Sequence, residues 1–157
     1  MSKMEFDLKE IEELSGAKAH VYSVVFEGEK DSLLEQFVKE NALQYSKEMK
    51  KIFAKIKKMA DITGCRKSFF KEGEGVWADG VVALNHTGCL RLYGIYFNGT
   101  VILFGSGGYK PPYVKSYQQY PPLNAKAQQI KDIAQEIMKL IKSGELRIEE
   151  DGTLIML

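Results

Sequence analysis

The stretch CLRLYGIYFNGTVILFGSGGYK, from Cys89 to Lys110, limits what this chain can fold into more than any other. Asn98-Gly99 divides two runs rich in Leu, Ile, Val, Tyr and Phe. Both residues tolerate the positive φ of a two-residue type I′ turn, so the pattern predicts a β-hairpin. Such a turn sets Phe97 opposite Thr100, Tyr96 opposite Val101, Ile95 opposite Ile102 and Tyr93 opposite Phe104. Strand alternation then gives the first strand one face of Leu90, Leu92, Gly94 and Tyr96 and another of Arg91, Tyr93, Ile95 and Phe97. Both faces are largely apolar, which predicts central strands covered on both sides. Arg91 is the one charge embedded in the pair of runs.

The rest of the chain has the apolar content, 45% of residues, to close a core around that hairpin as a single domain over residues 1–157. No apolar run approaches a membrane span, and the charged start MSKMEFDLKE does not read as a signal peptide. Cys65 and Cys89 show neither a CxxC nor a His/Cys ligand spacing, so the expectation is no metal, no disulfide scaffold, no cofactor and a cytoplasmic location. The net charge of +1 conceals segregation. Residues 44–71 and 106–142 are basic, and the acidic segments 1–43, 72–105 and 143–157 surround them.

Residues 4–14 read as a short helix or an extended arm. Ala19 to Phe26 alternates and predicts a strand, with His20 as a packed strand histidine rather than a catalytic one. Ser32 and Glu35 fit a capping box. From there Leu34, Phe37, Val38, Ala42, Tyr45, Met49, Ile52, Phe53, Ile56 and Met59 recur at helical spacing, as one long helix or two joined near Asn41. Lys47, Lys50, Lys51, Lys55, Lys57 and Lys58 project from the other side, either as a solvated face or as a phosphate-attracting ridge. Glycine-punctuated residues 61–80 predict loop with at most one short edge strand, and carry Arg66, Lys67 and Lys71. Val81 to Asn85 predicts a further strand, and residues 85–88 a turn with His86 at its tip.

Residues 106–122, SGGYKPPYVKSYQQYPP, hold all four prolines and the tyrosines Tyr109, Tyr113, Tyr117 and Tyr120, with Lys110 and Lys115 between them. Gly107-Gly108 is expected to end the strand, and the proline pairs favour extended geometry without ladder donors. Two readings fit this strap: rings that cover the sheet, or rings that stack on unpaired bases while the lysines hold phosphates. GSGGYK lacks the spacing of a phosphate-binding loop. Asn124 is expected to cap a helix with Ile130, Ile133, Ala134, Ile137, Met138 and Ile141 as its stripe, stopped by Gly144. Asp151-Gly152 predicts a short acidic hairpin at the C-terminus.

The predicted class is α+β. An antiparallel sheet of four or more strands, the first strand followed by a three-strand meander, packs against a long helix or helical hairpin and a C-terminal helix. That order, with LRLYGIYF, NG, TVILFG and GGYK in the meander, resembles the RelE/ParE/HigB superfamily of bacterial toxin–antitoxin systems. The resemblance covers residues 17–142, leaving 1–16 as an N-terminal extension and 143–157 as a C-terminal addition. It implies metal-independent endoribonuclease activity on mRNA, often at the ribosome, with a ribose 2′-OH attacking the adjacent phosphodiester. It also implies a small antitoxin protein as partner. Under it, Arg91 relieves phosphoryl charge, Lys110 acts electrostatically or as base, and Tyr109 or Tyr113 stacks on a base or assists the leaving group. Arg66, Lys67, Lys71, Lys115, Tyr117, Lys51, Lys55 and Lys58 would bind flanking RNA. Two other readings stay open: a noncatalytic module binding RNA or protein on the same scaffold, and a small-molecule enzyme or ligand-binding domain.

Overall fold

The computed structural model describes residues 5–71, 80–114 and 119–157. Among the described residues, eight strands and three α-helices follow the chain: β1 (Phe6–Glu10), β2 (His20–Phe26), α1 (Leu33–Asn41), α2 (Ser46–Lys58), β3 (Phe70–Lys71), β4 (Val81–Leu84), β5 (Leu90–Asn98), β6 (Val101–Tyr109), α3 (Pro121–Ser143), β7 (Leu146–Ile148) and β8 (Leu154–Met156). The fold is α+β. Six strands form one sheet in the order β1-β2-β6-β5-β4-β3, and β7 pairs with β8 in a second, small sheet. β4, β5 and β6 make the antiparallel meander, and the residue 4–14 segment contributes an extended edge strand. The sheet is mixed rather than wholly antiparallel, because β2 runs parallel to β6. The two helices between β2 and the meander supply the long crossover that a parallel neighbour requires.

The hairpin joins β5 to β6, but not by a type I′ turn. Among the described residues no non-glycine has positive φ, so Asn98 does not enter the left-handed region. Instead its Oδ1 accepts from the Thr100 amide at 2.7 Å and the Thr100 hydroxyl at 2.6 Å. Asn closes such a side-chain turn on its own backbone, an alternative to the left-handed turn. The pairing moves by one residue: Ile95 faces Leu103, Tyr96 faces Ile102 and Asn98 faces Val101, with irregularities between Tyr96 and Asn98 and between Leu92 and Gly94. The alternation along β5 is untouched by this shift, since it depends only on that strand's own pleat.

Two cores result, one on each side of the sheet. Leu34, Phe37, Met49, Ile52 and Ile56 of the helical hairpin pack on Val21, Leu90, Leu92, Ile102 and Phe104. Leu123, Ala127, Ile130, Ile133 and Ile137 of α3 pack on Tyr22, Val24, Tyr93, Ile95 and Leu103 from the other side, together with Leu146 and Leu154 of the C-terminal hairpin. The capping box at Ser32 forms, with Glu35 N donating to Ser32 Oγ at 3.2 Å and Ser32 N to Glu35 Oε1 at 2.9 Å. The Ser32 amide, then the Lys9 ammonium, hold the Glu35 carboxyl down at about 2. Ser23 links sheet and helix: its buried hydroxyl donates to Phe104 O at 2.7 Å and accepts from Leu34 N at 3.1 Å.

Two boundaries fall elsewhere than the sequence predicts. β6 continues through Gly107 and Gly108 to Tyr109, and Gly107 is needed inside the ladder: a Cβ there would lie 1.8 Å from Arg91 O. α3 begins at Pro121 rather than at an Asn124 cap. Proline has its φ preset for a first helical turn, where its missing N–H removes no intrahelical bond. Within α3 the core side includes Leu123, Ala127 and Leu140, whereas Met138 is 45% exposed. The helix stops at Gly144, whose φ of 80° is the left-handed cap.

Candidate nucleic-acid interface

The end of the sheet away from the Asn98 turn gathers the four residues that the resemblance makes catalytic. There Leu90 pairs with Tyr109, Arg91 with Gly108, and the Lys110 amide donates to Cys89 O at 2.7 Å. The ladder therefore brings Arg91, Tyr109 and Lys110 together, with Tyr113 close by in sequence and 80% exposed. Pleating directs Arg91 and Lys110 to the α3 side and Tyr109 to the side of α1 and α2. Arg91 and Lys110 are half-buried, and neither is without an interaction. Tyr109 stacks on Tyr45 with centroids 6.2 Å apart and planes 15° apart, and meets Tyr120 edge-on at 6.4 Å. Burial raises the Tyr45 phenol above its usual value, with smaller contributions from Cys89, Tyr109 and Glu48. Lys115 and Tyr117 lie outside the described residues.

The β4–β5 turn at this end is clamped. Glu48, one turn into α2, accepts from Cys89 N at 2.9 Å and Leu90 N at 2.6 Å, and its Oε2 lies 2.9 Å from His86 Nε2. Partial burial disfavours its charge, but the Cys89 amide, the His86 ring and the Leu90 amide outweigh that and hold the carboxyl below its ordinary value. His86 is accordingly a packed partner with an 8% exposed side chain, not an open imidazole at a turn tip. His20 is likewise held, with Nδ1 2.6 Å from Glu10 Oε2.

The basic residues of α2 form a strip on the opposite side of the sheet from Arg91. Lys47, Lys50, Lys51 and Lys58 are exposed. Lys55 Nζ donates to Asn85 O, and Asn85 in turn bonds Phe69 O at 2.7 Å and Ser68 O at 3.3 Å. That chain of contacts ties Lys55 to the segment carrying exposed Arg66, Lys67 and Lys71, and helical spacing puts Lys51 and Lys58 on the same face of α2 as Lys55. Lys57 stands apart from the strip, with Nζ bonded to Ser15 O at 2.8 Å and Asp61 at 3.1 Å. Lys55, Lys57 and Lys58 also sit in the last turn of α2, where cations complement the helix dipole.

Two clefts flank these features. One of about 570 Å³ lies between the exit of β1 and the two helices, lined by Ile11, Leu14, Leu34, Val38, Phe53 and Ala54. Its charged rim is largely engaged, by Lys9 on Glu35 at 2.9 Å and Lys39 on Asp31 at 2.6 Å. The other, about 250 Å³, opens beside Gly107, Gly108 and Tyr109 between the end of α1 and the start of α3. Among the described residues no group of three or more His, Cys, Asp or Glu side chains could hold a metal ion. Nor is any helix among them long and apolar enough to cross a membrane.

The sequence reading missed the Tyr45–Tyr109–Tyr120 cluster and the Glu48 clamp. Both join residues far apart in the chain, and no local periodicity announces such a pairing. Comparison with protein-family models, with curated proteins and with solved structures finds no match to this chain.

Proposed function

We propose that this protein is a noncatalytic RNA-binding module on a RelE-like scaffold. The observation that carries the reading is the exposed cationic strip of Lys51 and Lys58 beside Arg66, Lys67 and Lys71, with tyrosine rings gathered at the adjoining end of the sheet. Cations spaced along a groove or ridge hold a phosphate backbone, and exposed rings accept unpaired bases without regard to sequence. Both faces of the sheet are occupied by helices, which leaves the rims of the sheet to do the binding.

The test is fluorescence anisotropy of a labelled single-stranded RNA over a range of salt. Binding is expected to weaken steeply with salt, and each lysine neutralised in Lys51→Gln or Lys58→Gln should flatten the slope of log K by about 0.7. Salt-independent binding, or no loss in the double variant, would remove the reading.

One observation favours endoribonuclease activity as the second reading: Arg91 of β5 and Lys110, just past the end of β6, share a face. A guanidinium and an ammonium so placed can relieve charge on one phosphate. Here the reaction would be 2′-OH attack on mRNA, with or without the ribosome, in a protein whose expression a small antitoxin protein would neutralise. RNA fragments ending in 2′,3′-cyclic phosphate, retained with chelator and lost in Arg91→Ala, would decide for it.

A further inference from the structure

β2 pairs with β6 only over Val101 to Leu103, and past Tyr22 it runs on to Phe26 paired with β1 alone. Beyond Leu103, β6 has β5 as its only strand partner among the described residues. Its outer edge therefore offers backbone donors and acceptors to the cleft of about 250 Å³ between the end of α1 and the start of α3. The floor of that cleft is Gly107 and Gly108, and glycine in a strand allows a flat group to approach the backbone closely. Tyr109 and Tyr120 stand along it, set at 83° to each other. Tyr45, stacked behind Tyr109, fixes that ring in place. Lys126, at the mouth, is half-buried and has no ion-pair partner among the described residues.

We propose that this cleft holds one unpaired nucleobase of a bound RNA strand. A heteroaromatic ring stacks on tyrosine, the polar groups of its edge pair with the free backbone edge of residues 107–109, and Lys126 holds a flanking phosphate. Flat shape, an edge bearing both donors and acceptors, and an attached anion are together the chemistry of a nucleotide. A protein strand added to the same edge would need length, but the ends of α1 and α3 close the cleft within a volume suited to a single ring system. The inference deepens the RNA-binding reading and rests on it, yet the site can be tested without RNA.

The experiment is a titration of the full chain with AMP, CMP, GMP and UMP, followed by amide NMR shifts, alongside RNA binding by anisotropy. Gly108→Leu fills the cleft at a position where a Cβ meets nothing within 4 Å, so the variant is expected to fold. Expected are saturable shifts at Gly107, Gly108 and Tyr109 with at least one nucleotide, abolished in Gly108→Leu. The same variant should lose about tenfold in RNA affinity while keeping its salt slope, because the phosphate contacts of α2 remain. Lys126→Gln should weaken nucleotide binding and leave the corresponding nucleoside unaffected. If the wild type binds RNA and Gly108→Leu binds it equally well, the base site is overturned and the cationic strip stands. If RNA does not bind but the nucleotide shifts appear at these amides, both the strip reading and the base of a bound strand are overturned, and the cleft is a site for free nucleotides. Shifts from an extended peptide of alternating valine and threonine, with none from any nucleotide, would overturn the proposal in favour of strand addition.

Discussion

The two ends of the β5–β6 hairpin are built from the same kind of sequence and do different work. At the turn end the backbone of the tip is held from elsewhere in the chain and by its own side chains. Gly99 O accepts from Cys65 N at 2.8 Å, Thr100 O from His20 N at 2.9 Å, and Asn98 folds back on Thr100. Gly152 of the C-terminal hairpin, at a φ of 95°, fits so closely that a Cβ would lie 2.0 Å from Thr100 O. At the far end β6 has no second strand partner among the described residues, rings replace aliphatic side chains, and cations border them. A hairpin locked at one end can leave the other open for a ligand without losing its register.

The sharpest way to break that contrast is glycine substitution. Gly107→Ala forces a Cβ into Arg91 O at 1.8 Å and should destabilise by at least about 3 kcal/mol in chemical denaturation. Its neighbour Gly108→Ala, with open space around the added Cβ, should stay within about 0.5 kcal/mol of wild type. Equal effects at the two positions would mean that the strand is not held as described.

Next in size is the clamp at the open end. Glu48→Gln replaces an ionised acceptor of two amides and should cost about 1–3 kcal/mol at neutral pH. The folded carboxyl titrates below its unfolded value, so its contribution is present above about pH 4.3 and disappears as pH falls through the folded value. Urea melts at falling pH should show the wild type losing stability in that acid range, with the variant changing less. A smaller effect is expected at the closed end: Asn98→Ala removes both acceptor bonds to Thr100, for about 1 kcal/mol, and leaves RNA affinity unchanged. Smallest for stability is Tyr113→Ala, where a ring 80% exposed is lost. Its melting should stay within about 0.5 kcal/mol, while RNA binding weakens about fivefold if the ring stacks on a base.

Much of the scaffold was legible locally. The capping box at Ser32, the left-handed stop at Gly144 and the two-faced alternation of Leu90 to Phe97 all follow from near-neighbour rules, and the structure has each of them. The site was legible only in part. The ladder does juxtapose Arg91, Tyr109 and Lys110, as a hairpin ending at Lys110 requires, but pleating separates Tyr109 from the two cations. Lys55 and Lys57 show the limit of composition: both belong to a basic run, yet one bonds the Asn85 carbonyl and the other Ser15 O and Asp61.

By itself the sequence determined roughly where most elements lie, which side of each is apolar, and that one hairpin lies at the centre of the sheet. Those properties depend on residues within a few positions of one another. Only the tertiary structure decided that β2 joins β6 in parallel over a short stretch, that Glu48 clamps the β4–β5 turn, and that Tyr45 backs Tyr109. Each of these is a contact between distant parts of the chain. Its free energy appears only once two helices and a sheet have closed on their cores, and no window of sequence contains both partners.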